Sequence, residues 1–199
     1  MKRFIEMSIA LLLLILCIIP FIIIAILIKI ESKGPVIYWS KRIGKNELFF
    51  WMPKFRSMKL QTPEVATDIL DSKKYLTNIG NLIRKLSIDE LPQIFSVFVG
   101  DMSFVGPRPA LFNQYELIAL RRNNSIDKIE PGITGWAQIN GRDDITILEK
   151  VKLEKYYLEN KSLYMDIKIV TLTLVYVIIK KIFHTNLNSL LIYEYSFLF

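Results

Sequence analysis

"MSIALLLLILCIIPFIIIAILI", residues 7–28, decides how the rest of the chain must be read. It is 22 residues without a charge, its apolar run interrupted only by Ser8 and Pro20. As one straight helix it would run about 33 Å, enough to cross a bilayer. A cleaved signal peptide fits less well, because the apolar run is too long and no small-x-small site follows. The simplest reading is a spanning anchor. Two details favour another. Pro20 falls near the middle, where it removes a backbone hydrogen bond and kinks a helix. Basic residues also flank both ends, Lys2 and Arg3 before and Lys29, Lys33, Lys41 and Arg42 after. A spanning helix carries its positive charge mainly on the cytoplasmic side. Charge at both ends fits a helix that enters, bends at Pro20 and leaves by the same face. Each arm would then be about 20 Å at most, too short to cross. The residues alone leave both topologies open.

Outward from that stretch, 199 residues suffice for one domain with its own core, or for a smaller domain plus a membrane segment. The 26 Lys+Arg against 19 Asp+Glu leave +7 at pH 7. That balance suits phosphate-rich partners: nucleotides, nucleic acid or an anionic membrane surface. Cys17 is the single cysteine, which excludes a disulfide framework. His184 is the single histidine, which disfavours histidine-dependent triads and histidine-rich zinc sites and reads as a surface residue.

The remainder reads as one globular unit. "VIYWSKRIGKNELFFWMPKFRSM" (36–58) predicts a hairpin, two β-prone runs around Gly44–Lys45–Asn46. Residues 61–75 are polar and predict a loop. Leu91, Ile94, Phe95 and Phe98 recur at helical spacing, with Gly100 as a stop. A further helix is expected over 110–122. Thr146 with Glu149 forms a capping box that opens a helix to about Asn160. "IVTLTLVYVII" (169–179) is too short to span and is expected to be buried or interfacial. The tail "LLIYEYSFLF" is apolar enough to rest on membrane or core. Neither internal repeats nor low-complexity tracts occur.

"RKLSIDELPQIF" (84–95) sets an acidic pair, Asp89–Glu90, in apolar and basic surroundings. Ser87 and Glu90 match a capping box, yet Pro92 would then fall inside the helix and cost a hydrogen bond. With Asp89 as N-cap, Pro92 lies in the first turn at no cost, and Glu90 favours the helix dipole. Taken alone, the dipeptide reads as a helix start. Its surroundings add another reading. Arg108 in "VGPRPA" (105–110) stands between two prolines that stiffen the backbone, and a rigid guanidinium suits bidentate phosphate recognition. "KFRSM" (54–58) puts Lys54 and Arg56 on one face of a strand. "EPGITGWAQINGR" (130–142) is a glycine-punctuated loop whose Trp136, Gln138, Asn140 and Arg142 can stack, hydrogen-bond and meet phosphate. Each has a bland alternative, a surface turn or a turn-rich connection. Together they point to phosphate chemistry on a membrane-bound substrate.

In these stretches the chain resembles the bacterial sugar transferases, the monotopic phosphoglycosyl transferases. The matching segments are "GPVIYWSKRIGKN", "KFRSM", "IRKLSIDELPQ", "GDMSFVGPRP" and "PGITGWAQINGR", in family order from about residue 4 to 183. No further apolar helix precedes the anchor, which resembles the small members made of the catalytic domain alone. The resemblance implies an α+β, helix-rich fold: an N-terminal re-entrant membrane helix (1–30), one membrane-associated catalytic domain with a short β-hairpin (31–185), and an apolar tail (186–199). It implies transfer of a phosphosugar from a UDP-sugar to undecaprenyl phosphate with release of UMP, at the cytoplasmic face of the bacterial inner membrane. Asp89 would be the nucleophile, forming an aspartyl-phosphosugar. Glu90 would be its catalytic partner, and both carboxylates would contribute to a Mg²⁺ site. Arg108 and Arg84 would hold phosphate, as would Lys54 and Arg56, and the 131–142 motif with Arg142 would bind the UDP-sugar. The family's anchor breaks at a Ser–Pro pair, which here reads Ile19–Pro20. The expected partners are UDP-sugar, undecaprenyl phosphate, membrane lipid and, as an option, a second copy, with no nucleic acid. Two rival activities stand beside this: a membrane-anchored metal-dependent phosphatase, and a non-enzymatic binder of anionic lipid or nucleic acid.

Overall fold

The computed structural model describes residues 2–60, 62, 75–141 and 145–183. Nearly all of the expected 61–75 loop, His184 and the 186–199 tail lie outside the described residues. The fold is α+β and helix-rich. The chain divides into two compact units, Met1–Ile43 with Leu48–Met102, and Gly44–Glu47 with Ser103–Phe199.

Unit 1 begins with the apolar stretch, which forms two helices, α1 (Lys2–Leu16) and α2 (Ile18–Glu31), bent by 57°. The break lies at Cys17, three residues before the expected Pro20. Pro20 is the third residue of α2, so its ring and missing N–H act on the carbonyl of Leu16, one turn back. That is where α1 stops. Among the described residues no single helix is long and apolar enough to cross a membrane.

Each arm rests on the rest of the unit along one side. α1 packs against α4 (Gln93–Val99), and Arg3 donates to the carbonyls of Val97 and Met102 at 2.6 and 2.8 Å. α2 turns Phe21, Ile24 and Ile28, one helical face, into a core with Phe55 and Ile83. The outward sides stay bare: Phe4, Leu12, Leu16, Ile19, Ile23 and Ile30 are all exposed.

The expected hairpin is present. β1 (Ile37–Ile43) and β2 (Phe49–Phe55) pair antiparallel from Ile37↔Phe55 to Ile43↔Phe49. Asn46 and Glu47 take the left-handed conformation that closes the turn. α3 (Asn78–Lys85) is capped twice: the Thr77 hydroxyl accepts from the Gly80 N–H, and Glu31 accepts from Asn78 and Ile79 at 2.6 and 2.8 Å. Gly80 is required here, because a Cβ would lie 1.9 Å from the Ser57 carbonyl oxygen. α4 ends on Gly100 at φ +112°, the stop read from the sequence.

Unit 2 is built on a parallel pair, β3 (Ser103–Val105) with β5 (Gly132–Thr134). Between them run β4 (Ala110–Leu111) and α5 (Tyr115–Asn123). α5 starts five residues later than the expected 110, since Ala110 and Leu111 are extended. α6 (Trp136–Ile139) is a single turn. α7 (Ile147–Glu159) opens on the complete Thr146–Glu149 capping box, as read from the sequence. α8 (Leu163–Phe183) contains the apolar 169–179 run. The core gathers Val105, Tyr157, Met165 and Ile169, with Tyr157 donating to Asp166 at 2.6 Å. Buried Arg121 and Glu154 form a two-pronged ion pair.

Candidate functional site

The acidic pair sits in a turn of unusual backbone. After α3, Ser87 adopts φ 56°, ψ 21°, the left-handed region that costs a non-glycine residue about 1–2 kcal/mol. Ile88–Glu90 then make a 3₁₀ turn, Leu91 and Pro92 continue helically, and α4 proper begins at Gln93. The expected helix start is therefore corrected. Ser87 makes no cap bond, and Pro92, not Asp89, occupies the position before α4. The turn that follows is held by Ile88 and Leu91, which flank the acidic pair and pack into the Phe55–Ile83 core.

Asp89 is 7% exposed. The Glu90 carboxylate receives Lys54 Nζ at 2.9 Å, with both side chains largely buried. The structure thus brings together two of the expected residues from segments 36 positions apart. Arg56 is placed differently. It is buried and donates to the carbonyls of Ser32 and Lys33, both at 2.9 Å, and to Ser32 Oγ at 2.7 Å. These bonds tie the end of β2 to the end of α2. Arg84, in the last turn of α3, is half-buried, with no side-chain partner among the described residues.

Gln93 was given no role by the sequence reading. It is 1% exposed, and its Nε2 has no hydrogen-bond partner among the described residues. Along the helical path from Ile88 it lies one turn beyond Asp89 and Glu90, on their side. An unpaired buried amide donor costs about 1–3 kcal/mol, so a group held this way carries a donor left without an acceptor. Only its spacing from the acidic pair could have signalled it.

Unit 2 carries the other candidates. The Arg108 backbone is fixed by its two prolines and by Arg121, which donates to the Arg108 carbonyl at 2.9 Å while held by Glu154. The "GPRP" and "PGITG" segments are zipped together: Gly106 donates to the Thr134 carbonyl and Gly132 to the Pro107 carbonyl, both at 2.9 Å. A Cβ on Gly132 would lie 2.1 Å from the Gly106 nitrogen, so the close approach requires glycine. Trp136 is half-buried, with Tyr156 beside it at 5.8 Å and Lys168 Nζ 5.5 Å above its ring. Gln138 donates to the Ile133 carbonyl, and its buried Oε1 has no partner among the described residues. Asn140 closes α6 on the Trp136 carbonyl at 2.8 Å. Arg142 lies outside the described residues. Lys45 pairs with Glu130 at 2.9 Å. Desolvation pushes the Glu130 carboxyl up, but hydrogen bonds from Lys45 and from its own backbone N–H, with the charges of Lys45 and Lys161, together hold the group below the usual range.

Among the described residues no group of three or more His, Cys, Asp or Glu side chains could hold a metal. Asp89 and Glu90 offer two carboxylates. That donor set suits Mg²⁺, which takes one or two carboxylates and completes its shell with substrate phosphates and water, and does not suit an all-protein cage.

The family model of the bacterial sugar transferases matches residues 1–180. The uncharacterized sugar transferase EpsL of Bacillus subtilis (strain 168) is 37% identical over 173 residues, 87% of this chain and 85% of that protein. Galactosyl transferase CpsE of Streptococcus agalactiae serotype III (strain NEM316) is 38% identical over 190 residues, 87% of this chain and 41% of its own. The UDP-glucose:undecaprenyl-phosphate glucose-1-phosphate transferase of Escherichia coli (strain K12) is 41% identical over 158 residues, 75% of this chain and 34% of its own. The chain thus spans less than half of the latter two relatives and most of the first. It belongs to the bacterial sugar transferase family.

Proposed function

We propose that this protein transfers a sugar 1-phosphate from a UDP-sugar to undecaprenyl phosphate, releasing UMP, through a covalent intermediate on Asp89. The observation that carries the proposal is Asp89 itself, a buried carboxylate in a strained turn beside the Lys54–Glu90 pair, in a chain of this family. Relatives named as undecaprenyl-phosphate sugar phosphotransferases support the reaction class.

In the first step an Asp89 carboxylate oxygen attacks the phosphorus that bears the sugar. The bond from that phosphorus to the bridging oxygen breaks, and UMP leaves with the electron pair. In the second step a phosphate oxygen of undecaprenyl phosphate attacks the same phosphorus and displaces Asp89. Both steps exchange one P–O bond for another, so no oxidant or reductant is needed. Catalysis of this kind is mainly positioning and charge neutralisation. Lys54 fixes the Glu90 carboxylate next to the nucleophile, and Arg108 is the phosphate-binding candidate of unit 2. Mg²⁺, held by Asp89 and Glu90, would supply charge neutralisation to the diphosphate. The reading places the protein on the cytoplasmic face of the bacterial inner membrane.

The test is a panel of UDP-sugars with and without undecaprenyl phosphate. Without the acceptor, the enzyme should release a burst of UMP and gain phosphosugar mass on the peptide containing Asp89. Asp89→Asn should abolish both while the protein still folds. Turnover that needs both substrates at once, with no adduct, would replace the covalent route by direct transfer. Release of free phosphate in place of UMP would mark a phosphatase.

A further inference from the structure

The β1–β2 hairpin has one face that is covered at one end and bare at the other. Ile37↔Phe55, Trp39↔Pro53, Lys41↔Trp51 and Ile43↔Phe49 stand opposite each other. Alternate residues share a face, so these eight side chains form one surface. At its first rung Phe55, 2% exposed, meets Phe21 of α2 edge to face at 5.2 Å. Beyond that rung Trp39, Trp51 and Phe49 are 47%, 59% and 61% exposed. Lys41 Nζ stands 4.2 Å over the Phe49 ring. The opposite face of the hairpin buries Ser40, Phe50 and Met52, so the strand pair already has its core side.

Three bare aromatic rings around a lysine match the composition of the membrane–water boundary. There Trp sits at headgroup depth, and a lysine stem lies along apolar surface with its ammonium in the headgroups. The core of a protein–protein interface is depleted in lysine. The surface is also continuous with the apolar pair of helices: α2 lies on its covered end and turns the exposed Ile19, Ile23 and Ile26 outward.

We propose that this hairpin face is a second membrane-docking surface, seated in the headgroup region of an anionic bilayer beside α1 and α2. The proposal rests on the membrane reading of α1 and α2 and adds to it. The hairpin face adds a contact beyond the two packed arms and further restricts how unit 1 is rotated on the membrane.

The chain has three tryptophans, Trp39, Trp51 and Trp136, and pairwise Trp→Phe substitution isolates each one. The full-length protein is reconstituted into vesicles of phosphatidylglycerol and phosphatidylethanolamine, with or without brominated acyl chains. Trp39 and Trp51 should lose most of their emission to the brominated lipid and resist aqueous acrylamide. Trp136, half-buried against the core of unit 2, should not respond to the lipid. A tryptophan-free background carrying Ile26→Trp reports on α2. If that reporter is quenched by lipid while Trp39 and Trp51 yield to acrylamide, the docking surface is overturned and the anchor stands. If neither quencher reaches Trp39 and Trp51, a protein partner covers the face and the proposal is again overturned. If Ile26→Trp is itself untouched by lipid, the membrane reading fails first. Lys41→Glu should reduce the quenching of Trp51 in anionic vesicles and leave it unchanged in zwitterionic ones.

Discussion

Gln93 separates a residue kept for stability from one kept for use. An ordinary core residue of its volume would be apolar, and its unpaired amide is a cost to the fold. Gln93→Leu should therefore hold or raise the melting temperature while lowering turnover. A melting temperature that fell with turnover unchanged would make Gln93 an ordinary packing residue. Arg108 invites a different exchange. If its guanidinium grips two phosphate oxygens, a lysine cannot replace it, because an ammonium is a single point of charge. Arg108→Lys should lower UMP release at least about tenfold, about 1.4 kcal/mol of transition-state stabilisation. Normal release would remove Arg108 from phosphate binding. Legibility at this scale was uneven. The acidic pair and Lys54 stood out as residue types, but the left-handed Ser87 beside them did not. Serine in that conformation has no sequence signature, since the surrounding core imposes it. Arg56 carries a structural task that its pattern did not announce: it donates to the Lys33 carbonyl, 23 residues away.

At the scale of elements, what could be read was local. The hairpin, the Thr146–Glu149 box and the Gly100 stop all involve neighbours within one turn or one strand pair, and all are in place. The second cap on α3 is not local. Glu31 reaches it from 47 residues away, at the end of α2. Desolvation pushes the Glu31 carboxyl up, but hydrogen bonds from the Ile79 and Asn78 N–H groups and from the Thr77 and Asn78 side chains together outweigh it, so its pKa lies below the ordinary 4.5. For a carboxyl lowered on folding, the stabilising contribution is present above the unfolded pKa and is lost as pH falls through the folded one. Glu31→Ala should cost about 1 kcal/mol near pH 7, as the loss of a helix N-cap does. The difference from the parent should shrink as pH falls below the unfolded value and through the lowered folded one, where the parent's carboxylate becomes protonated. A gap in melting temperature that stays constant down to acid pH would mean that Glu31 acts by packing alone.

For the whole molecule the proposed membrane seating turns on which side of a bilayer each end of the apolar stretch would occupy. Both ends are tied to the same compact unit: Arg3 to the end of α4, Glu31 to the start of α3. A spanning arrangement would have to detach one of them. Pulling α2 away would also strip Phe21, Ile24 and Ile28 from their core, a loss on the order of 5 kcal/mol for three apolar side chains. Under the proposed re-entrant seating, the exposed outward sides of both arms would gain by contact with acyl chains without any crossing. Lys2→Cys and Lys33→Cys, each in a Cys17→Ser background, should therefore react with an impermeant maleimide from the same side of a sealed vesicle. Labelling from opposite sides would rule out the re-entrant arrangement. Pro20→Leu restores the N–H that the Leu16 carbonyl needs and makes one straight apolar helix long enough to span. It should yield a fraction labelled from opposite sides, and adding Arg3→Ala, which releases the N-terminal tether, should enlarge that fraction. If Pro20→Leu with Arg3→Ala still labels from one side only, the bend at Cys17 is not what keeps the stretch from crossing, and packing of α1 and α2 on unit 1 would be the whole cause.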